Sequence, residues 1–178
     1  TGVGGIKEVI ATIEGKHVLI YNISEKERAT IKTFNDLAAL RQRRGDSILV
    51  IAPHSLFPNS TSIGKSLLIK YASLFDAIEL NQYGTGFVPW NRRAAALARK
   101  LRKPLVANSD AHSLRFFGNV HTFIDSPPTV ASIMDAIRVG HTRPSIRPMS
   151  FLDFVYVASH IVHGRIRMFL GQPDNLAF

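Results

Sequence analysis

The sequence predicts an α/β fold built on a parallel or mostly parallel sheet, and three observations carry that prediction. Short β-branched or apolar runs alternate with helical stretches along the whole chain. The run at 47–52, SILVIA, is continuously apolar between Gly45 and Pro53, as in a strand buried on both faces. The polar residues with ligand chemistry fall just past the ends of such runs, where α/β folds build their sites. An open sheet and a (β/α) barrel produce the same pattern.

Taken in order, His17 to Ile23 (HVLIYNI) reads as the first strand. Ser24 and Glu27 have the spacing of a capping box and open a helix that runs to about Arg44 and closes at Gly45. Ser47 to Ala52 is the next strand, followed by a helix around Lys65 to Ser73 and a strand at Phe75 to Leu80. Pro89 to Arg102 is rich in alanine and arginine and predicts a helix, with the proline tolerated near its first turn. Strands follow at Pro104 to Ala107 and Asn119 to Ile124, then a helix from Thr129 to Val139 closed by Gly140. From Ser150 to about Phe169 the apolar residues Leu152, Phe154, Val155, Val157, Ala158, Ile161 and Val162 recur at helical spacing, predicting a packing helix. Arg165 and Arg167 at its end leave membrane or partner binding as a minor alternative. The expected organisation is one domain over 1–148 and a helical tail over 149–178 that packs on or beside it.

With 178 residues, 46% of them hydrophobic and 20% charged, the chain can bury a core of its own as an ordinary soluble domain. No apolar run approaches the roughly 20 residues that span a bilayer, so no membrane is expected. Cysteine is absent, which excludes disulfides and zinc–thiolate sites and fits a cytoplasmic protein. Any divalent metal must then be held by histidine and carboxylate, a donor set that favours Zn, Mn or Fe. The formal charge of +9 asks for an anionic partner: a phosphorylated small molecule, a nucleotide or a nucleic acid. The cations cluster at Arg41, Arg43 and Arg44, along 92–103, and at Arg138, Arg143 and Arg147. Few aromatics interleave with them, which weakens the case for a single-strand binding groove.

Strand ends deliver His54, Glu79 with Asn81, and the pair Asp110 and His112 to one predicted rim. Asp110 and His112 lie two apart on a short loop, a spacing that can chelate one metal or face two. Singly, each has a plainer role: a hydrogen-bonded histidine, a buried paired acid, a turn asparagine. Their conjunction at successive strand ends favours a metal site. His17 opens its strand, so its place relative to that rim is left open.

Four blocks then carry a specific resemblance. The stretch VANSDAHSLRFFG at 106–118 resembles the closing S-D-A-H motif of the polymerase and histidinol phosphatase (PHP) family, and IAPHSLFP at 51–58 resembles its A-H-P motif. FDAIELNQY at 75–83 is similar to the strand before the last motif, and EGKHVLIYN at 14–22 to the G-H strand. The resemblance covers roughly 11–153 and implies a PHP-like distorted (β/α)7 barrel in which two or three divalent metals drive phosphoester hydrolysis. It implies His17, His54, Asp110 and His112 as metal ligands. Glu8, in Gly5-Ile6-Lys7-Glu8, is a further ligand candidate and Glu14 a poorer substitute. Glu79 and Asn81 would stand behind the ligands, and Arg115 would reach the substrate phosphate.

Family members open with an H-x-H strand and a T-D-H segment that this sequence lacks, and 1–10 resembles the helix between them. The expectation is an N-terminally incomplete barrel with at most one weakly held ion and reduced activity. Its exposed edge would invite a homodimer. The competing expectation is a basic nucleic-acid-binding or catalytically degenerate relative of the same fold.

Overall fold

The computed structural model describes residues 8–82, 89–110, 118–147, 149–153, 155–156 and 159. Along 9–13 buried Val9, Ala11 and Ile13 alternate with exposed Ile10 and Thr12. That period of two makes a strand, β1 (Glu8–Ile13), where the family resemblance predicts the end of a helix. Glu14 and Gly15 follow with φ of 48° and 76°. Two consecutive left-handed residues make the turn that joins tightly paired antiparallel strands, and β2 (Lys16–Tyr21) pairs back along β1.

The single helix expected from Ser24 to Arg44 is two helices. Ser24 does cap the first, α1 (Glu25–Thr30), through the predicted box with Glu27. The chain then leaves helical geometry at Ile31, and Thr33 with Asp36 forms a second capping box that opens α2 (Phe34–Arg44). Gly45, at φ 53°, closes it as expected. There follow β3 (Leu49–Ala52), α3 (Gly64–Lys70), β4 (Ala77–Asn81), α4 (Trp90–Leu101), β5 (Leu105–Asn108), β6 (Val120–Ile124), α5 (Val130–Val139) and β7 (Thr142–Ile146). The sequence gives no sign of β7, whose Pro144 suits a strand at a sheet edge.

The five-stranded sheet runs β1-β2-β3-β4-β5. β2 is antiparallel to both neighbours, whereas β3, β4 and β5 are parallel. One face packs on α2, α3 and α4 through Val18, Ile20, Val50 and Ile78 against Phe34, Leu37, Leu68 and Leu97. The other packs Leu19, Leu49, Ile51, Ala77 and Val106 on Met134 and Ile137 of α5.

This arrangement overturns the expected (β/α)7 barrel: the molecule is a small α/β protein with a mixed sheet, and no barrel closes among the described residues. Two features explain why. The sheet ends in an antiparallel hairpin rather than a further parallel strand, and α5 covers the face that a closed barrel would turn inward. At the other edge β6 and β7 form their own two-stranded sheet. It meets β5 through side chains: the Thr122 hydroxyl bridges the N–H and C=O of Ala107 (2.7 and 2.8 Å), and Thr142 donates to Leu105 O (2.9 Å).

In the tail, residues 151–153, 155–156 and 159 are helical. Phe151, Leu152 and Val155 are 68%, 76% and 47% exposed. No helix among the described residues is long and apolar enough to cross a membrane.

Candidate functional site

Antiparallel pairing decides where His17 lies. Leu19 pairs with Ile51, so the start of β2 falls beside the carboxyl end of β3, from which His54 projects. His17, His54, Glu79, Asn108 and Asp110 line one cleft of about 40 Å³ at this rim, with Ile10, Leu19 and Pro53 as apolar wall. The two imidazole rings stand 5.5 Å apart, centre to centre, at 67°.

Backbone geometry marks the same two loops. His54 and Asp110 have φ of 31° and 45°, a region that residues with a side chain rarely adopt. Among the described residues, the other non-glycine positions with positive φ are Glu14 in the hairpin turn, Asn22 after β2 and Arg102 at the α4 cap. Strained residues persist where surrounding contacts hold them, and His54 is held closely. Its N–H donates to Glu79 Oε1 (3.2 Å), and its carbonyl accepts from Phe57 N–H (2.9 Å) and the Ser62 hydroxyl (2.8 Å). Its ring Nδ1 lies 3.0 Å from Ser62 Oγ. Burial pushes the His54 pKa down; the nearby Asp110 carboxylate partly opposes this and His17 adds to it. Burial thus favours the neutral ring, the form that binds metals.

The loop after β3 serves both histidines, since Thr61 O accepts the His17 N–H (2.8 Å) and Ser60 O accepts from Lys16 Nζ (2.7 Å). Motif reading passes over Ser62, which no spacing rule singles out.

Glu79 is 3% exposed and touches His54 directly, in keeping with a supporting role. Asn81 is engaged elsewhere: its backbone N–H and C=O pair with the Asn91 side chain of α4 (3.2 and 2.8 Å). Glu8 lies two residues from Ile10, which lines the cleft, and its side chain is outside the described residues. On β1 it pairs with Tyr21, while Ile10 pairs with Leu19 and Thr12 with His17. Glu14 accepts from Phe34 N–H at the start of α2 (3.2 Å). His112 and Arg115 lie outside the described residues. Among the described residues, no three of His, Cys, Asp and Glu come close enough to hold one metal ion. Beside the cleft, and sharing Glu79 and Asn108 with it, an apolar hollow of about 220 Å³ opens between Tyr21, Val106, Ile124 and Ile133.

Residues 88–142, from just before α4 into the start of β7, match the family model described as PHP-associated, a match consistent with a PHP-family protein and with the motif resemblance. Among solved structures the chain is similar to "PsfC from Pseudomonas syringae PB-5123" with a TM-score of 0.60 and 18% identity, over 89% of this chain. The chain spans 65% of that chain's length, and the likeness is one of fold. No curated protein matches the chain.

Proposed function

We propose that the cleft is the metal site of a phosphoester hydrolase of PHP type, held here by an incomplete ligand set. The observation that carries this reading is the meeting of His17, His54 and Asp110, from three different strand ends, in one cleft. Two imidazoles and a carboxylate suit a divalent Zn, Mn or Fe ion. His54 also fits a ligand in detail: Ser62 engages Nδ1, and Nε2 has no hydrogen-bond partner among the described residues. His17, His54, Asp110 and His112 would supply the donors by the family resemblance; the first three do not by themselves come close enough to hold one ion, so the site would need His112 to complete it. Such an ion lowers the pKa of a bound water and neutralises phosphoryl oxygens.

The chain's own residues supply the rest. Glu79 fixes the His54 backbone, and burial disfavours the charged form of its ring. The substrate class is a phosphorylated small molecule or nucleotide. Metal analysis after exhaustive dialysis, beside a chelator-sensitive phosphatase assay, tests the reading. At most one weakly held ion per chain, lost in His54→Ala and Asp110→Ala, is the expected result. An ion count and hydrolysis rate that neither substitution changes would overturn it.

A second reading, a nucleic-acid surface, is favoured by one observation. On the β6–β7 ribbon, Arg143 lies over the exposed Phe123 ring (5.0 Å to its centre) and His121 meets it edge-on (4.8 Å). Single-strand binding that falls steeply with salt, weakens in Phe123→Ala and ignores His54→Ala would establish this surface.

A further inference from the structure

We infer that Ser62 is a positioning residue: it fixes His54 in the tautomer that carries its proton on Nδ1, so that Nε2 keeps a free lone pair. The tautomer follows from counting protons. Ser62 Oγ lies 2.8 Å from the His54 carbonyl oxygen and 3.0 Å from His54 Nδ1, with both residues buried. A hydroxyl has one proton to give. Given to Nδ1, it would leave Oγ and the carbonyl oxygen, two acceptors, facing each other at 2.8 Å with no hydrogen between them. Given to the carbonyl, it satisfies that contact and leaves an Oγ lone pair for Nδ1, which must then be the N–H.

Ser62 is itself held in place, because its N–H donates to Asn59 Oδ1 (2.7 Å). Thr61, its neighbour, accepts the His17 N–H (2.8 Å), so adjacent residues of one loop orient both histidines. With Glu79 on its N–H, His54 has its N–H, C=O and Nδ1 all engaged. Partners of this kind set ring orientation and raise ligand basicity in metal sites. The consequence for metal affinity rests on the proposed metal reading; the tautomer assignment does not.

Long-range proton–nitrogen NMR of the metal-free 178-residue chain tests the assignment without any substitution. His54 is expected to show a pyrrole-type Nδ1 and a pyridine-type Nε2, and the opposite pattern would overturn the inference. Zinc affinity, measured by competition with a chromogenic chelator, is expected to fall about 10–100-fold in Ser62→Ala. Ser62→Thr keeps the hydroxyl and should restore both the tautomer and the affinity, a rescue that a purely structural role would not give. A folded Ser62→Ala protein with unchanged tautomer and zinc affinity would refute the positioning role. Nδ1–H on His54 in a wild-type chain that binds no zinc would support the tautomer and refute the metal reading.

Discussion

At the scale of the residue, two buried acids hold the two ends of the sheet in different ways. Glu79 accepts the His54 N–H at the carboxyl end. Asp76, at the opposite end, accepts both terminal nitrogens of Arg41 and the Val50 N–H (2.8 Å), with Arg138 Nε 3.6 Å away. Asp76→Ala would leave the half-buried Arg41 guanidinium without its carboxylate, and breaking such a pair costs about 3–5 kcal/mol; urea unfolding should read that loss. Glu79→Ala should cost about 1–3 kcal/mol, the penalty for an orphaned buried N–H. Glu79→Gln keeps an acceptor oxygen for His54 and should keep most of the stability. Equal losses in the Ala and Gln variants would show that charge, not the hydrogen bond, is what His54 needs.

At the scale of the element, the break between α1 and α2 comes from competing local chemistry. Thr33 and Asp36 satisfy the first N–H groups of α2 as Ser24 and Glu27 do for α1, so the chain starts a helix twice. Loss of either cap, Ser24→Ala or Thr33→Ala, should cost about 1 kcal/mol in thermal unfolding. The α1 cap also sets a pH dependence. The Ser24 backbone N–H, the Arg44 guanidinium and the Ser24 hydroxyl together hold the Glu27 pKa down from its usual 4.5 to about 2. A depressed carboxylate stabilises the fold fully above pH 4.5, and that contribution is lost as the pH falls through about 2. Glu27→Gln removes this component. Acid titration of stability should therefore show wild type and variant converging between these pH values, and parallel curves would refute the assignment.

For the whole molecule, β1 is the edge of the five-stranded sheet among the described residues, and Ile10 on it, which also lines the cleft, is 51% exposed. An edge of this kind is a template for another strand. We expect the chain to self-associate through β1, and light scattering should show Ile10→Lys, which places a charge on that edge, shifting the population toward monomer. Unchanged mass in the variant would move the contact elsewhere, with Phe151 and Leu152 of the tail as the next exposed apolar surface.

Local chemistry was legible wherever a short stretch of sequence decides its own conformation. The Ser24–Glu27 box, Gly45 and Gly140 as helix ends, the buried run of β3 and the strand ends bearing His54 and Asp110 all belong here. The strand at 8–13 was not legible in this way, because Val9, Ile10 and Ala11 are consecutive apolar residues and only the fold buries alternate ones. Only the tertiary structure decided what depends on pairing partners. Strand direction is one such property, because an apolar run packs equally well parallel or antiparallel. It was the antiparallel register of β2 on β3 that brought His17 to the rim. Closure is another: whether a sheet curls into a barrel depends on what covers its faces, and α5 covers one of them. Ser62 is the third. A serine in a loop carries no signal of its own, and it acquires a role only when folding sets its single proton between a carbonyl and an imidazole.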